Sequence, residues 1–270
     1  MKVLVTGGHG FIGRHVMDVL AAEEIEAVSF DLSHGQDVCD RFQVKDAMAG
    51  CSHVIHLAGM LGTAELFDQA HEAVDANVHG TLNVLEACED ERAAYVGITM
   101  PEVWDNPYQA TKRCARNFAS AWHRHRGVPV SHVRAFNAYG VGQKLGPVQK
   151  IIPTFAHRAW RGQPIPVWGD GTQQVDLVWA GSLAQMLLRA TLYGDDQVFD
   201  GGTGFGMSVN DVAQYVLGRT GSKAGIEYLP MREGEHPAKV VATGEGWDEM
   251  EYTPHGVNWD RLDETIDSYR

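Results

Sequence analysis

The chain is predicted to be an α/β protein: a doubly wound parallel sheet carrying a smaller C-terminal lobe. Two observations predict this. Apolar runs of strand length alternate with helical stretches as far as about Asn137. The first of those runs, Val3-Leu4-Val5, enters Gly7-Gly8-His9-Gly10-Phe11-Ile12-Gly13, which opens the helical stretch Phe11–Ala22. A strand, a glycine turn and a helix in that order make a cradle for a dinucleotide phosphate, as in a Rossmann-type sheet. Gly7 permits the tight turn, Gly10 lets backbone approach the pyrophosphate, and Gly13 lets helix and strand pack closely.

The elements follow in order. A second strand, Ala27–Asp31, precedes a helix near Phe42–Ala49 and a strand at His53–Leu57. Long helical stretches near Ala64–Glu91 lead to the strand Ala94–Thr99, the helix Pro107–Arg126 and the strand Val130–Ala135. Beyond Asn137 the rhythm loosens into Gly- and Pro-rich loops. Helices near Ile151–Arg161, Ser182–Tyr193, Ser208–Arg219 and Asp260–Tyr269 interrupt them. Residues 1–140 are therefore assigned to the dinucleotide-binding body, with 175–200 returning to it. Residues 141–174 and 201–270 are assigned to a substrate-binding lobe.

Two further features carry chemistry. Asp31 ends the second strand, 18 residues beyond Gly13. A carboxylate there accepts hydrogen bonds from the adenosine ribose and repels a 2′-phosphate, so the expected cofactor is NAD and not NADP. Tyr108-Gln109-Ala110-Thr111-Lys112 places a phenol and an ammonium four residues apart on one helix face. There the lysine can lower the tyrosine pKa, making a base that operates near neutral pH.

Composition excludes other classes. A net charge of −13 without a long Lys/Arg run argues against nucleic acid or an anionic membrane as partner. No apolar run approaches the roughly 20 residues of a membrane span, and no signal peptide is expected. Cys39, Cys51, Cys88 and Cys114 lack metal-site spacing; reduced thiols and a cytoplasmic location are expected, with no metal. His123-Arg124-His125 suits a cationic helix end.

In this series the chain resembles the extended short-chain dehydrogenases/reductases, the NAD-dependent nucleotide-sugar epimerases and dehydratases. The resemblance runs nearly end to end. It rests on Gly7–Gly13, Asp31, Asp37-Val38, His56-Leu57-Ala58-Gly59, Asn77-Val78-His79-Gly80-Thr81 and Tyr108–Lys112. It continues through Arg134–Gly140, Ile151-Ile152-Pro153, Gly169-Asp170-Gly171 and Arg232-Glu233-Gly234-Glu235. It implies Phe11 and Ile12 in the phosphate turn, Asp37 and Val38 near the adenine, and Leu57, Ala58, Gly59 and Asn77 along the cofactor. It also implies Lys112 on the nicotinamide ribose, and Asn137 and Arg232 near the diphosphate of a nucleotide-sugar substrate. Tyr108 would take the proton of a sugar hydroxyl while NAD takes the hydride, leaving a ketone that can be reduced again from the other face. A homodimer through the helix ending near Ala87-Cys88 and the helix of Tyr108 is a further expectation. Ala110, Cys114, Phe118, Ala121 and Trp122 supply an apolar stripe there.

Three departures from that pattern matter. Met100 takes the place of the family's Ser or Thr, and Thr99 is the nearby hydroxyl; it can substitute only if the backbone turns there. The Val103–Tyr108 loop lacks roughly twenty residues that help the family close over substrate. Val175 stands where the family often has a phosphate-binding Arg, leaving Lys144, Lys150 or Arg232 to compensate. Sugar 4,6-dehydratases use an Asp-Glu pair where this chain has Pro101-Glu102, and the decarboxylases rely on the Arg replaced by Val175. An epimerase is the least contradicted reading. Another nucleotide-sugar oxidoreductase or dehydratase, and a non-catalytic NAD-binding regulatory or scaffold protein, are the alternatives.

Overall fold

The computed structural model of the chain describes residues 1–254 and 256–270. Its first half runs β1 (Lys2–Thr6), α1 (Phe11–Ala22), β2 (Glu26–Phe30), α2 (Arg41–Met48), β3 (His53–His56), α3 (Ala70–Val74), α4 (Gly80–Glu91), β4 (Ala94–Thr99), α5 (Pro107–Arg126) and β5 (Val130–Ala135). There follow β6 (Asn137–Tyr139), α6 (Ile151–Trp160), β7 (Ile165–Trp168), β8 (Gln174–Trp179), α7 (Ala180–Ala190), β9 (Asp195–Gly201) and β10 (Gly206–Ser208). The chain closes with α8 (Val209–Thr220), β11 (Ile226–Leu229), β12 (Lys239–Val240) and α9 (Trp259–Asp267).

Six strands form one parallel sheet in the order β2-β1-β3-β4-β5-β9. Val3, Leu4 and Val5 of β1 are fully buried, as the apolar run requires of a strand covered on both faces. One face packs on α1 and α7, the other on α2, α4 and α5. The chain leaves β1 for β2 on one side and returns on the other with β3. Rossmann-type sheets bind ligands in the crevice beyond the strand ends at this reversal, and the glycine turn after β1, Asp31 after β2 and Leu57–Gly59 after β3 all follow strands that meet there.

A second layer is built on β8. It pairs antiparallel with β10 and parallel with β6 and β12, while β7 and β11 form a separate parallel pair. With α6, α8 and α9 these strands enclose their own apolar core around Phe155, Leu177 and Val216. Residues 175–179 belong to β8 and hence to this layer; the main layer regains the chain only from α7 and β9. The cause is β6, which follows β5 after one residue and sets Asn137 opposite Leu177.

Two buried carboxylates join the layers. Asp176 accepts hydrogen bonds from the backbone N–H groups of Thr203, Gly204 and Ala242 and from the Thr203 hydroxyl. Asp200 accepts from Arg134 and from the backbone N–H groups of Thr243, Gly244 and Glu245.

Strand Ala94–Thr99, helix Pro107–Arg126 and strand Val130–Ala135 take their expected bounds. Ala64–Glu91 does not form long plain helices. A short 3-10 turn at Ala64–Leu66 precedes α3, and a π-helical turn at Asp75–His79 joins α3 to α4. Ser208, expected inside a helix, is its cap: its hydroxyl accepts from Asp211 N while Asp211 accepts from Ser208 N. Strands β6 to β12 went unforeseen: β6, β7, β10, β11 and β12 have four residues or fewer, and β8 and β9, though as long as β4 and β5 or longer, owe their pairing to distant partners. Among the described residues no helix is long and apolar enough to cross a membrane.

Candidate active site

The glycine turn is shaped by contacts that a side chain would destroy. Gly7 has φ +73° and donates its N–H to Phe30 O, tying the turn to β2. A Cβ on Gly13 would stand 2.0 Å from Gly7 O, inside any allowed contact. Phe11 and Ile12 begin α1 above it. The open cradle and the helix N-terminus behind it fit a dinucleotide pyrophosphate.

Asp31 lies beside this turn. Its Oδ1 accepts from the Ser33 N–H and hydroxyl, and its Oδ2 from His9 N at 2.9 Å. Burial pushes the carboxyl up, but the donors from Ser33 and His9 outweigh it and hold the group below its usual value. Asp37 caps its own loop by accepting from Cys39 N. Val38 is buried against Gly80, and its carbonyl accepts from Asn83.

Leu57, Ala58 and Gly59 leave β3 and are pinned from two sides. Thr6 Oγ1 accepts from the N–H groups of Leu57 and Ala58. Asn77 accepts from Met60 N at 2.8 Å and donates to Met60 O at 2.9 Å and to Thr111 Oγ1 at 3.0 Å. Its amide is thus a bracket between the β3 loop and α5, and the π-helical turn is what places it there. A Cβ on Gly59 would strike Asn77 Oδ1 at 2.5 Å.

Tyr108 sits in the first turn of α5. Asn106 caps that turn by accepting from Gln109 N, and Pro107 opens it. Lys112 follows one turn later. Burial pushes the Tyr108 phenol up to about 12 and the Lys112 ammonium down to about 8. Burial is the cause at Tyr108, and the lowering expected from Lys112 is not seen in the protein alone. Within the electrostatic reach of Lys112, neutral His56 bonds Thr6 and Thr81, and His132 is buried with neither ring nitrogen partnered among the described residues.

A cavity of about 360 Å³ opens between the two layers. Tyr108, Thr99, Asn137, Arg232, Phe11 and Ile12 all reach it. The remaining expected residues lie outside its walls, around the ends of β1, β2 and β3 and, for Lys112, further along α5. Thr99 is the last residue of β4, and the chain leaves the strand at Met100-Pro101. Both Thr99 and Met100 consequently line the cavity. Glu102 is turned outward to Arg113 at 3.9 Å.

Several cavity features had no local signal in the sequence. Arg232 stacks on Trp168 at 4.8 Å, pairs with Glu235 through two hydrogen bonds, and approaches Glu65 at 3.9 Å. Only the three-residue spacing of Arg232 and Glu235 was visible beforehand. The short loop before α5 is closed by the Arg232–Ala238 segment: Trp104 Nε1 donates to His236 O, and Gly234 packs against Asp105 and Phe67. Val175 joins Val240 and Met207 in the second sheet and turns an apolar surface to the cavity. Lys150 lines it too, its ammonium pushed down to about 8 by burial. Lys144 does not line it. Among the described residues no set of three His, Cys, Asp or Glu side chains converges on a metal site.

The comparisons agree with this geometry. A dTDP-glucose 4,6-dehydratase of Streptomyces niveus is 27% identical over 316 residues, spanning 100% of this chain and 93% of that protein. A UDP-glucuronate 4-epimerase of Thermodesulfobacterium geofontis is 29% identical over 227 residues, spanning 77% and 67%. A UDP-glucose 4-epimerase of Thermotoga maritima, solved with UDP-glucose, superposes with a TM-score of 0.93 at 23% identity, spanning 100% and 99%. That likeness is one of fold. The sequence model for the NAD dependent epimerase/dehydratase family matches residues 3–199, the stretch holding the glycine turn, Asp31, Tyr108 and Lys112. The chain is accordingly an NAD-dependent enzyme belonging to the epimerase/dehydratase family of short-chain dehydrogenases/reductases.

Proposed function

We propose that the enzyme is a nucleotide-sugar epimerase acting through a transient keto-sugar. The observation that carries this is the cavity wall around Tyr108. It offers a phenol and the Thr99 hydroxyl but, among the described residues, no free carboxylate to eliminate water. Glu102 faces Arg113, Glu235 is held by Arg232, and Pro101 has no acid to give. Family relatives include dehydratases, decarboxylases and epimerases, and this wall favours the last.

NAD, when bound, would supply the hydride-accepting and hydride-donating chemistry. Gly7, Gly10, Phe11, Ile12 and Gly13 hold its pyrophosphate, Asp31 its adenosine ribose, and Asp37 and Val38 border the adenine. Leu57, Ala58 and Gly59, braced by Asn77, flank its further half. Tyr108 takes the proton from the sugar hydroxyl, and Thr99 orients that hydroxyl by hydrogen bonding. Because burial alone holds the phenol near 12, the tyrosinate needs positive charge beside it. Lys112 provides part of that charge and binds the nicotinamide ribose. Asn137 and Arg232 receive the substrate diphosphate, with Lys150 standing in for the cation absent at Val175. The same reading places the enzyme in the cytoplasm as a homodimer through α4 and α5, although Phe118 and Trp122 already pack on the core.

Tyr108→Phe keeps the ring and removes the acidic oxygen. Turnover of the nucleotide sugar found in a panel screened by NMR should fall by roughly 10²-fold or more, with NAD affinity retained. Thr99→Val should lower kcat while folding is kept. Undiminished turnover in Tyr108→Phe would overturn the mechanism.

A further inference from the structure

Between β11 and β12 the chain runs as a strap, Pro230–Ala238. Met231, Arg232, Glu235 and His236 of the strap line the cavity, and so do Met100 and Trp104 of the loop that leaves β4. The two segments also touch each other. Trp104 Nε1 donates to His236 O at 3.3 Å, and a Cβ on Gly234 would stand 3.0 Å from Asp105 O and 3.2 Å from Asn106 Cβ. The turn after β3 joins them: the same Cβ would lie 3.1 Å from the Phe67 ring, and Glu65 Oε1 stands 3.9 Å from Arg232 Nη1. Gly234 has φ +72°, so this close approach depends on a residue without a side chain. Trp104 is anchored at both ends. Its backbone N–H donates at 2.8 Å to the side chain of buried Gln109, the neighbour of Tyr108, while its indole holds the strap. The contacts on the strap are few and individually weak, so they can part to admit a substrate and re-form behind it.

Resting on the epimerase reading, we infer that Trp104 and the strap hold the keto-sugar in the cavity between the two hydride transfers, in place of the closing residues that the short Val103–Tyr108 loop lacks. The need is chemical. When the ketone forms, the sugar has given its C–H hydride to NAD and its hydroxyl proton to Tyr108, and two electrons rest in NADH. The ketone must then present its other face, so contacts at the reacting carbon cannot be what retains it, and enclosure has to. Arg232, proposed above for the diphosphate, belongs to the strap, so a strap that parts early also withdraws an anchor of the nucleotide. The ketone is then lost, and one NADH stays behind for each ketone released. Trp104 is on this account a positioning residue, acting through the strap.

The test gives Gly234→Ala and Trp104→Phe, loaded with NAD, a nucleotide sugar that the unmodified enzyme epimerises. Free ketone is trapped with hydroxylamine and counted against epimer by mass spectrometry, and NADH left on the protein is read by absorbance. Hydrogen exchange of the strap amides, measured without substrate, reports the closure itself. Gly234 does not line the cavity, yet Gly234→Ala should speed that exchange and raise the ketone-to-epimer ratio by about tenfold, with matching NADH. Trp104→Phe keeps a ring and loses the donor to His236 O, and should raise the ratio by about two- to tenfold, the worth of one hydrogen bond. A strap that only stabilises the fold would lower the melting temperature of both variants and leave the ratio unchanged, which overturns the inference. Ketone released by the unmodified enzyme as freely as by the variants overturns it too. Either result leaves the epimerase reading standing, because epimer is still made. A panel from which the unmodified enzyme makes no epimer overturns that reading and the inference with it.

Discussion

Asp31, proposed above as the ribose acceptor, is held in place by its neighbours. Ser33 gives Oδ1 two donors, while Oδ2 accepts only from His9 N among the described residues and so keeps acceptor capacity. Asp31→Ala should narrow the preference for NAD over NADP by about tenfold, measured as the ratio of the two dissociation constants, because the repulsion of a 2′-phosphate disappears. An unmodified protein with equal affinities would remove this role from Asp31. The places of Asp31, Tyr108 and the glycines were legible because local spacing dictates them: a strand end, one helix face, a turn. Arg232 was legible only as a family motif, and its partner Glu65 was not legible at all, since 167 residues separate them. Thr99 and Met100 posed a question of strand parity that the sequence left open. β4 ends at Thr99, and both residues line the cavity.

Helix α5 shows how an element converts local stability into alignment. Its first turn holds Tyr108, and Asn106 fastens that turn by accepting from Gln109 N. Asn106→Ala should lower the unfolding free energy by about 1 kcal/mol in urea titrations and reduce kcat more than it raises KM, as the phenol loses its fixed position. Asn106→Asp, which keeps the acceptor, should restore most of both. A silent Asn106→Ala would mean that packing alone sets the turn. This helix was readable because Pro107 opens it and Gly127 closes it, with amphipathic spacing between. The π-helical turn at Asp75–His79 was not readable, because its extra residue serves the tertiary bracket formed by Asn77. The same holds for β12, two residues that are a strand only because β8 lies beside them.

Over the whole molecule, two interior histidines govern acid stability. His56 and His132 are buried neutral, each pushed down to about 3 mainly by desolvation and secondarily by nearby cations, Lys112 for His56, Arg116 and Lys112 for His132. An unfolded imidazole takes its proton near pH 6.5, whereas the folded ones wait until about 3. Between those values the unfolded chain binds more protons, so stability falls as pH drops, by roughly 1.4 kcal/mol per pH unit for each histidine. Urea midpoints should therefore decline below about pH 6. His132→Leu should flatten the decline at little cost near neutrality, because neither of its nitrogens has a partner among the described residues to lose. Midpoints independent of pH between 6 and 4 would contradict this burial. The carboxylates Asp176 and Asp200 carry a different consequence, one of timing. Both are made long before the Ala242–Glu245 segment that satisfies them leaves the ribosome. A nascent chain ending before that segment holds two charges lacking part of their hydrogen-bond shell, so neither layer can settle early. The sheet strands are synthesised in sequence, but the carboxylates that join the two layers gain their full set of donors only once the Ala242–Glu245 segment has emerged.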